Sequence, residues 1–163
     1  MRALVLGLAV AIAASGCGFR LRGDVTYAFS TLYISGPPSA PIVIELRRTL
    51  DNSGQTRLVA APTDAQVILD ITSVVDDKGV LSLSSGGRVR EYVLTKRVNF
   101  NVHDAAGLDW LPAGEIAIRR SYTFNESEVL AREVQEQRLL RDMQTDAVQQ
   151  IVRRLQAAKK PVT

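Results

Sequence analysis

One cysteine and one histidine are the obvious chemical resources of this 163-residue chain, and they sit in very different settings. Cys17 follows Ser15 and Gly16 at the end of an apolar run, residues 3–14, broken only by Gly7 and preceded by Arg2. A positive start, a short apolar stretch and small residues at its end form a secretory signal. The run is too short to span a bilayer, which takes about 20 apolar residues. A thiol at the resulting N-terminus is the group on which bacteria build a lipid anchor. The processing signal there usually reads Leu-[Ala/Ser]-Gly-Cys, and here Ala14 stands in the leucine position. Cys17 is therefore predicted to carry an S-diacylglycerol and an N-acyl chain. Each buried methylene contributes about 0.8 kcal/mol, and stable anchoring takes more than one chain or signal, which this set of acyl chains supplies. The competing reading is a secreted protein cut near residues 13–16, which would leave a lone free thiol on an exported chain. Gly18 follows the cysteine; an aspartate there tends to hold such proteins in the inner membrane, so its absence points to the outer one.

The remaining candidates for chemistry are weak. His103 ends a strand pattern and belongs to no His/Cys/carboxylate cluster with metal spacing. Ser84, Ser85, Gly86, Gly87 and Arg88 are glycine-rich but lack the Walker spacing, which leaves a hairpin turn. Asp76 and Asp77 would form half an acidic site, except that adjacent strand residues point to opposite faces. No catalytic residue, metal or small-molecule cofactor is predicted. A hydrolase would need a nucleophile beside a base, and the sole histidine lies in no such motif.

Removal of residues 1–16 leaves 147 residues, the size of one domain with one core. Hydrophobic content of 46% and charged content of 23% are ordinary for a globular chain. The formal net charge is +3, and +2 without Arg2, too mild to argue for nucleic acid. With Cys17 used as the anchor no disulfide can form, so packing alone must hold the core.

The elements follow from periodicity. Residues 17–30 read as a lipidated tether, with Phe19 and Leu21 alternating with Arg20 and Arg22. Thr31, Leu32, Tyr33 and Ile34 predict a strand ended by Gly36, Pro37 and Pro38. Pro41 suits a first helical position, and Ile42, Leu46 and Leu50 mark one apolar helix face that Gly54 closes. A short strand fits at 57–60. Residues 66–75 form a β-branched strand, weakened after Val75 by Asp76, Asp77, Lys78 and Gly79. In the next strand Tyr92, Leu94, Val98, Phe100 and Val102 share one face, with Glu91, Thr95, Arg97, Asn99 and Asn101 on the other. Lys96 interrupts the apolar face and is placed toward its edge. Residues 104–113 read as a loop in which Trp110 caps the domain's own core or meets a partner's wall. A strand at 115–124 precedes a long helix, roughly 126–158, opened by a capping box of Asn125 and Glu128. Leu140, Met143, Ala147, Ile151 and Leu155 form its stripe. The order β-α-β-β-β-α predicts an α+β two-layer sandwich: a four-stranded mixed sheet with both helices on one face. The domain spans 31–158 and a tail 159–163. The other face of the sheet has no covering layer, an opening for a partner.

Several stretches then resemble one family. Cys17-Gly-Phe-Arg-Leu-Arg-Gly23 is similar to the segment that opens the mature LptE lipoproteins of lipopolysaccharide assembly. Arg90-Glu-Tyr-Val-Leu94 followed by Val98-Asn-Phe100 is similar to that family's third strand. Leu130-Ala-Arg132, Glu136-Gln137, Met143, Ala147 and Gln150-Ile-Val-Arg-Arg-Leu155 follow its last helix. The resemblance implies an outer-membrane lipoprotein, lipid-anchored at the periplasmic face, that plugs the β-barrel LptD and delivers lipopolysaccharide to the outer leaflet without making or breaking a bond. Lipid A carries phosphates, and arginine binds phosphate bidentately. The implied contacts are Arg88 and Arg90 beside the glycine-rich turn, and Arg132, where relatives keep a basic residue. The alternative from a different class is a stand-alone lipid-binding or export-accessory lipoprotein with no barrel partner.

Overall fold

The computed structural model describes residues 26–123 and 129–161, of which 129–131 are described by backbone alone. Strand β1 (Thr31–Ser35) leads into helix α1 (Pro41–Ser53), with Pro41 at its start as predicted. Gly54 closes the helix in the left-handed conformation at φ 63°, its N–H donating to the Asp51 carbonyl. The chain then falls back beside β1. Arg57 N–H donates to Ser30 O at 2.9 Å and Val59 N–H to Leu32 O at 3.0 Å, so Arg57–Leu58 pair with β1 in parallel as β2. The sheet is thus mixed, as expected, but has five strands rather than four, in the order β2-β1-β3-β4-β5.

β3 (Val67–Leu83) pairs in parallel with β1 and antiparallel with β4 (Val89–His103), which pairs antiparallel with β5 (Asp109–Thr123). The sequence predicts that β3 fades after Val75, yet it runs eight residues further, to Leu83. The charges thought to break it are matched across the sheet. Asp76 lies directly opposite Lys96, and their side chains meet at 2.6 Å. Lys96 is therefore not at an edge: it is 3% exposed, between Leu94 and Val98 on the core face of a central strand. The loop expected at 104–113 is shorter too. The Asp104 carboxylate accepts from the N–H groups of Ala106 and Leu108, both at 2.9 Å, and this tight turn lets β5 begin at Asp109.

Helix α2 (Val129–Ala157) buries Met143, Ala147, Val148, Ile151, Val152 and Leu155 against the same face that α1 covers with Ile42, Val43, Leu46 and Leu50. The helices are tied by the Glu45 carboxylate, which accepts from Gln144 Nε2 and Thr145 Oγ1. Asn125 and Glu128, the predicted capping box, lie outside the described residues. The core reaches back past the expected boundary at Thr31. Phe29 is buried, and its ring lies 5.2 Å from that of Tyr27 and edge-on to Trp110 at 5.9 Å. Trp110 thus caps the domain's own core.

Candidate functional site

The charged groups gather at the hairpin end of the sheet. β3 and β4 are joined by a turn in which Ser84 N–H donates to Arg88 O, Gly87 N–H to Ser84 O and Arg88 N–H to Ser84 Oγ. The serine hydroxyl thus serves as the turn's internal acceptor, so the glycine-rich stretch is a hairpin turn. It projects Arg88 and Arg90 into solvent, and residues 84–90 hold two arginines and no carboxylate.

Arg132 stands elsewhere on the same end, in the first turns of α2. It lines a shallow cleft with Lys78, Glu133, Glu136 and Gln137. Glu136 organises that cleft. Its carboxylate accepts from Lys78 Nζ and from Tyr122 Oη, both at 2.5 Å. The Lys78 ammonium also lies 4.6 Å from the centroid of Tyr92, whose ring stacks on Tyr122 at 5.7 Å. Register explains the meeting: Lys78 opposes Leu94, Tyr92 opposes Tyr122, and all four share the face that α2 crosses. Partial burial pushes the Glu136 carboxyl up, but hydrogen bonds from Lys78 and Tyr122, with the charges of Lys78 and Arg132, outweigh it and hold the group below its usual range. Burial and the Glu136 hydrogen bond push the Tyr122 hydroxyl up. Burial alone would lower the Lys78 ammonium, but the bonds to Glu136 and Tyr122 raise it.

Arg132 is thus set beside a fixed ion pair, while Arg88 and Arg90 lie on the hairpin beyond Tyr92, roughly 7–13 Å further along the strand at about 3.3 Å per residue. The cleft balances two cations against Glu133 and Glu136, whereas the turn is purely basic. Lys78 and Glu136 were not among the sequence candidates. The β-bulge after Ile71 reverses the alternation of β3, so a register read from Val67, Leu69 and Ile71 puts Lys78 on the open face and hides this pair. His103 ends β4 with its Nδ1 2.8 Å from Asp104 O. Among the described residues no group of His, Cys, Asp and Glu could hold a metal ion.

A model of the LptE family, described as lipopolysaccharide-assembly, matches residues 29–155, which take in nearly all of the core. The chain belongs to the LptE family. It is 33% identical to the LPS-assembly lipoprotein LptE of Yersinia enterocolitica, over 93% of this chain and 73% of that one. It is 31% identical to that of Pectobacterium atrosepticum, over 93% and 83%. Among solved structures, lipoprotein B from Nitrosomonas europaea superposes with a TM-score of 0.76 at 35% identity, covering 86% of this chain and 91% of that one. Rare lipoprotein B from Shewanella oneidensis shares the fold, with a TM-score of 0.67 at 23% identity over 78% and 95%. As an LptE family member the chain is a lipopolysaccharide-assembly lipoprotein and not an enzyme.

Proposed function

We propose that this LptE family protein is held at the periplasmic face of the outer membrane by an acylated Cys17, plugs the lumen of the barrel LptD, and binds lipopolysaccharide as it passes to the outer leaflet. The observation that carries the reading is the family match over residues 29–155. The architecture fits the role. Both helices cover one sheet face, and on the other Arg97 of β4 is exposed, with Thr95, Asn99 and Asn101 half-buried beside it. A barrel lumen is polar and water-lined, so its plug needs such a mixed surface. Among the described residues no helix is long and apolar enough to cross a membrane, and the acyl chains on Cys17, an S-diacylglycerol and an N-acyl group, would supply the attachment. For the lipid, Arg88, Arg90 and Arg132 lie at one end of the domain, where guanidinium forks suit phosphate.

The test is purification from outer membranes in detergent through a C-terminal tag. A stoichiometric large barrel in the eluate supports the plug; a clean monomer, from membranes that contain the barrel, makes this a lone lipid-binding lipoprotein instead. In the same preparation Cys17→Ser should release the protein from membranes that lack the barrel. Arg88→Glu with Arg132→Glu should weaken lipopolysaccharide binding about tenfold or more with the fold intact, and unchanged binding removes those residues from the site.

A further inference from the structure

Helix α2 has two unlike halves. From Met143 onward it is embedded, with Met143, Ala147, Val148, Ile151, Val152 and Leu155 buried. Glu45 of α1 holds Gln144 and Thr145, and Arg120 of β5 donates to the Asp146 carboxylate at 2.6 Å. Before Met143 no described side chain of the helix is buried. Leu139 and Leu140 are half-buried against the core and mark the boundary. Between residues 132 and 138 the contact to the sheet centres on Glu136, whose carboxylate accepts from both Lys78 and Tyr122.

The sheet beneath explains the split. On its helix-facing side Val98 lies opposite Ile116, but further out Lys96 lies opposite Ile118 and Leu94 opposite Arg120. β3 adds Asp76 opposite Lys96 and Lys78 opposite Leu94, so the outer rows carry charge where the inner rows are apolar. Tyr122 is buried there, yet its ring stacks on Tyr92 within the sheet itself. Burying large apolar side chains stabilises far more than a part-exposed ion pair does. The Lys78 and Glu136 side chains remain 38% and 23% accessible, so this clamp is weak beside the packing after Met143.

Helices in proteins owe most of their stability to packing, and segments with few buried apolar contacts open well below the free energy of global unfolding. We propose that residues 129–138 form a separate opening unit, which undocks from the outer sheet and unravels as far as Leu139 while the core stays folded, with the Glu136 carboxylate as its latch. Opening releases Lys78 and Tyr122 from their shared acceptor and carries Arg132 away from the hairpin end. The three arginines at that end then differ in kind: Arg88 and Arg90 stand on a laddered hairpin, Arg132 on an arm that moves. The opening does not depend on the barrel or the lipid reading above.

The test is residue-resolved hydrogen exchange on the lipidated full chain in detergent micelles. Protection at the amides of 133–138 should be uniform and at least about a hundredfold below that at 147–155. Glu136→Ala should lower it about fivefold further, since alanine keeps the helical preference while removing the latch. Gln135→Ala, an exposed neighbour, should leave it unchanged. Ile151→Val, in the embedded half, should lower protection at 147–155 about fivefold and leave 133–138 at the wild-type level. Protection at 133–138 equal to that at 147–155, or lowered along with it by Ile151→Val, makes α2 one unit with the core and overturns the proposal. A residue-by-residue climb from 133 reduces the opening to ordinary end fraying, and Glu136→Ala without effect removes the latch; either result overturns it too.

Discussion

The pair Asp76–Lys96 allows the sharpest check on how this fold tolerates charge. Lys96 is 3% exposed on the core face, with Asp76 Oδ1 2.6 Å from its ammonium, while the Asp76 side chain remains 46% accessible. The two ends of the pair therefore have different costs. Asp76→Asn leaves a buried ammonium without its counter-charge. Breaking a fully buried pair this way costs about 3–5 kcal/mol, and water reaching the Asp76 side should reduce that to about 2 kcal/mol. Lys96→Met removes the buried charge and keeps the packing length, while the stranded carboxylate is half in water. That change should fall within about 1 kcal/mol of wild type, and Asp76→Asn with Lys96→Met should return close to it. The assay is urea unfolding of the Cys17→Ser protein without residues 1–16, with thermal melts alongside. A loss of about 2 kcal/mol corresponds to a Tm about 6–8 °C lower for a domain of this size. The reasoning is refuted if Lys96→Met costs as much as Asp76→Asn, or if Asp76→Asn melts with wild type.

Three further outcomes follow from single contacts. The Glu136 carboxyl is held below its ordinary 4.5, so the folded protein binds fewer protons there than the unfolded chain. Its contribution is complete above roughly pH 5 and fades as pH falls through the lowered value; Glu136→Gln should flatten that part of a stability-versus-pH curve, at a neutral-pH cost of only about 0.5–1 kcal/mol because Lys78 is well solvated. Gly54→Ala places a side chain at φ 63°, and denaturant titration should show a loss of about 1 kcal/mol despite the open space around it. Phe100→Ala empties the largest fully buried side chain among the described residues, over which Arg154 also lies at 5.4 Å, and should cost about 3–5 kcal/mol by the same titration.

What the sequence made legible was whatever one element states by itself. The period-2 run from Tyr92 to Val102 and the stripe from Met143 to Leu155 each define a buried face without reference to a neighbour, and both appear as read. Pro41 and Gly54 bound their helix through backbone chemistry alone. The differences arose where one element's state depends on another. Asp76, Asp77, Lys78 and Gly79 look like strand breakers until Lys96 and Glu136 are set against them, and then β3 continues to Leu83. The two-residue β2 has too few side chains to declare itself; it exists because Ser30 and Leu32 offer carbonyls to the returning chain. The candidate site divides along the same line. A turn can be read from Ser84 to Arg88, so Arg88 and Arg90 were visible as exposed cations, whereas the setting of Arg132 depends on a lysine from β3 meeting a glutamate from α2. Lys96 itself held the missing clue. A lysine in an apolar register requires a carboxylate, and in a hairpin turning at residues 84–88 the residue as far before the turn as Lys96 is after it is Asp76. Carrying that one constraint across the turn would have extended β3 from the sequence alone.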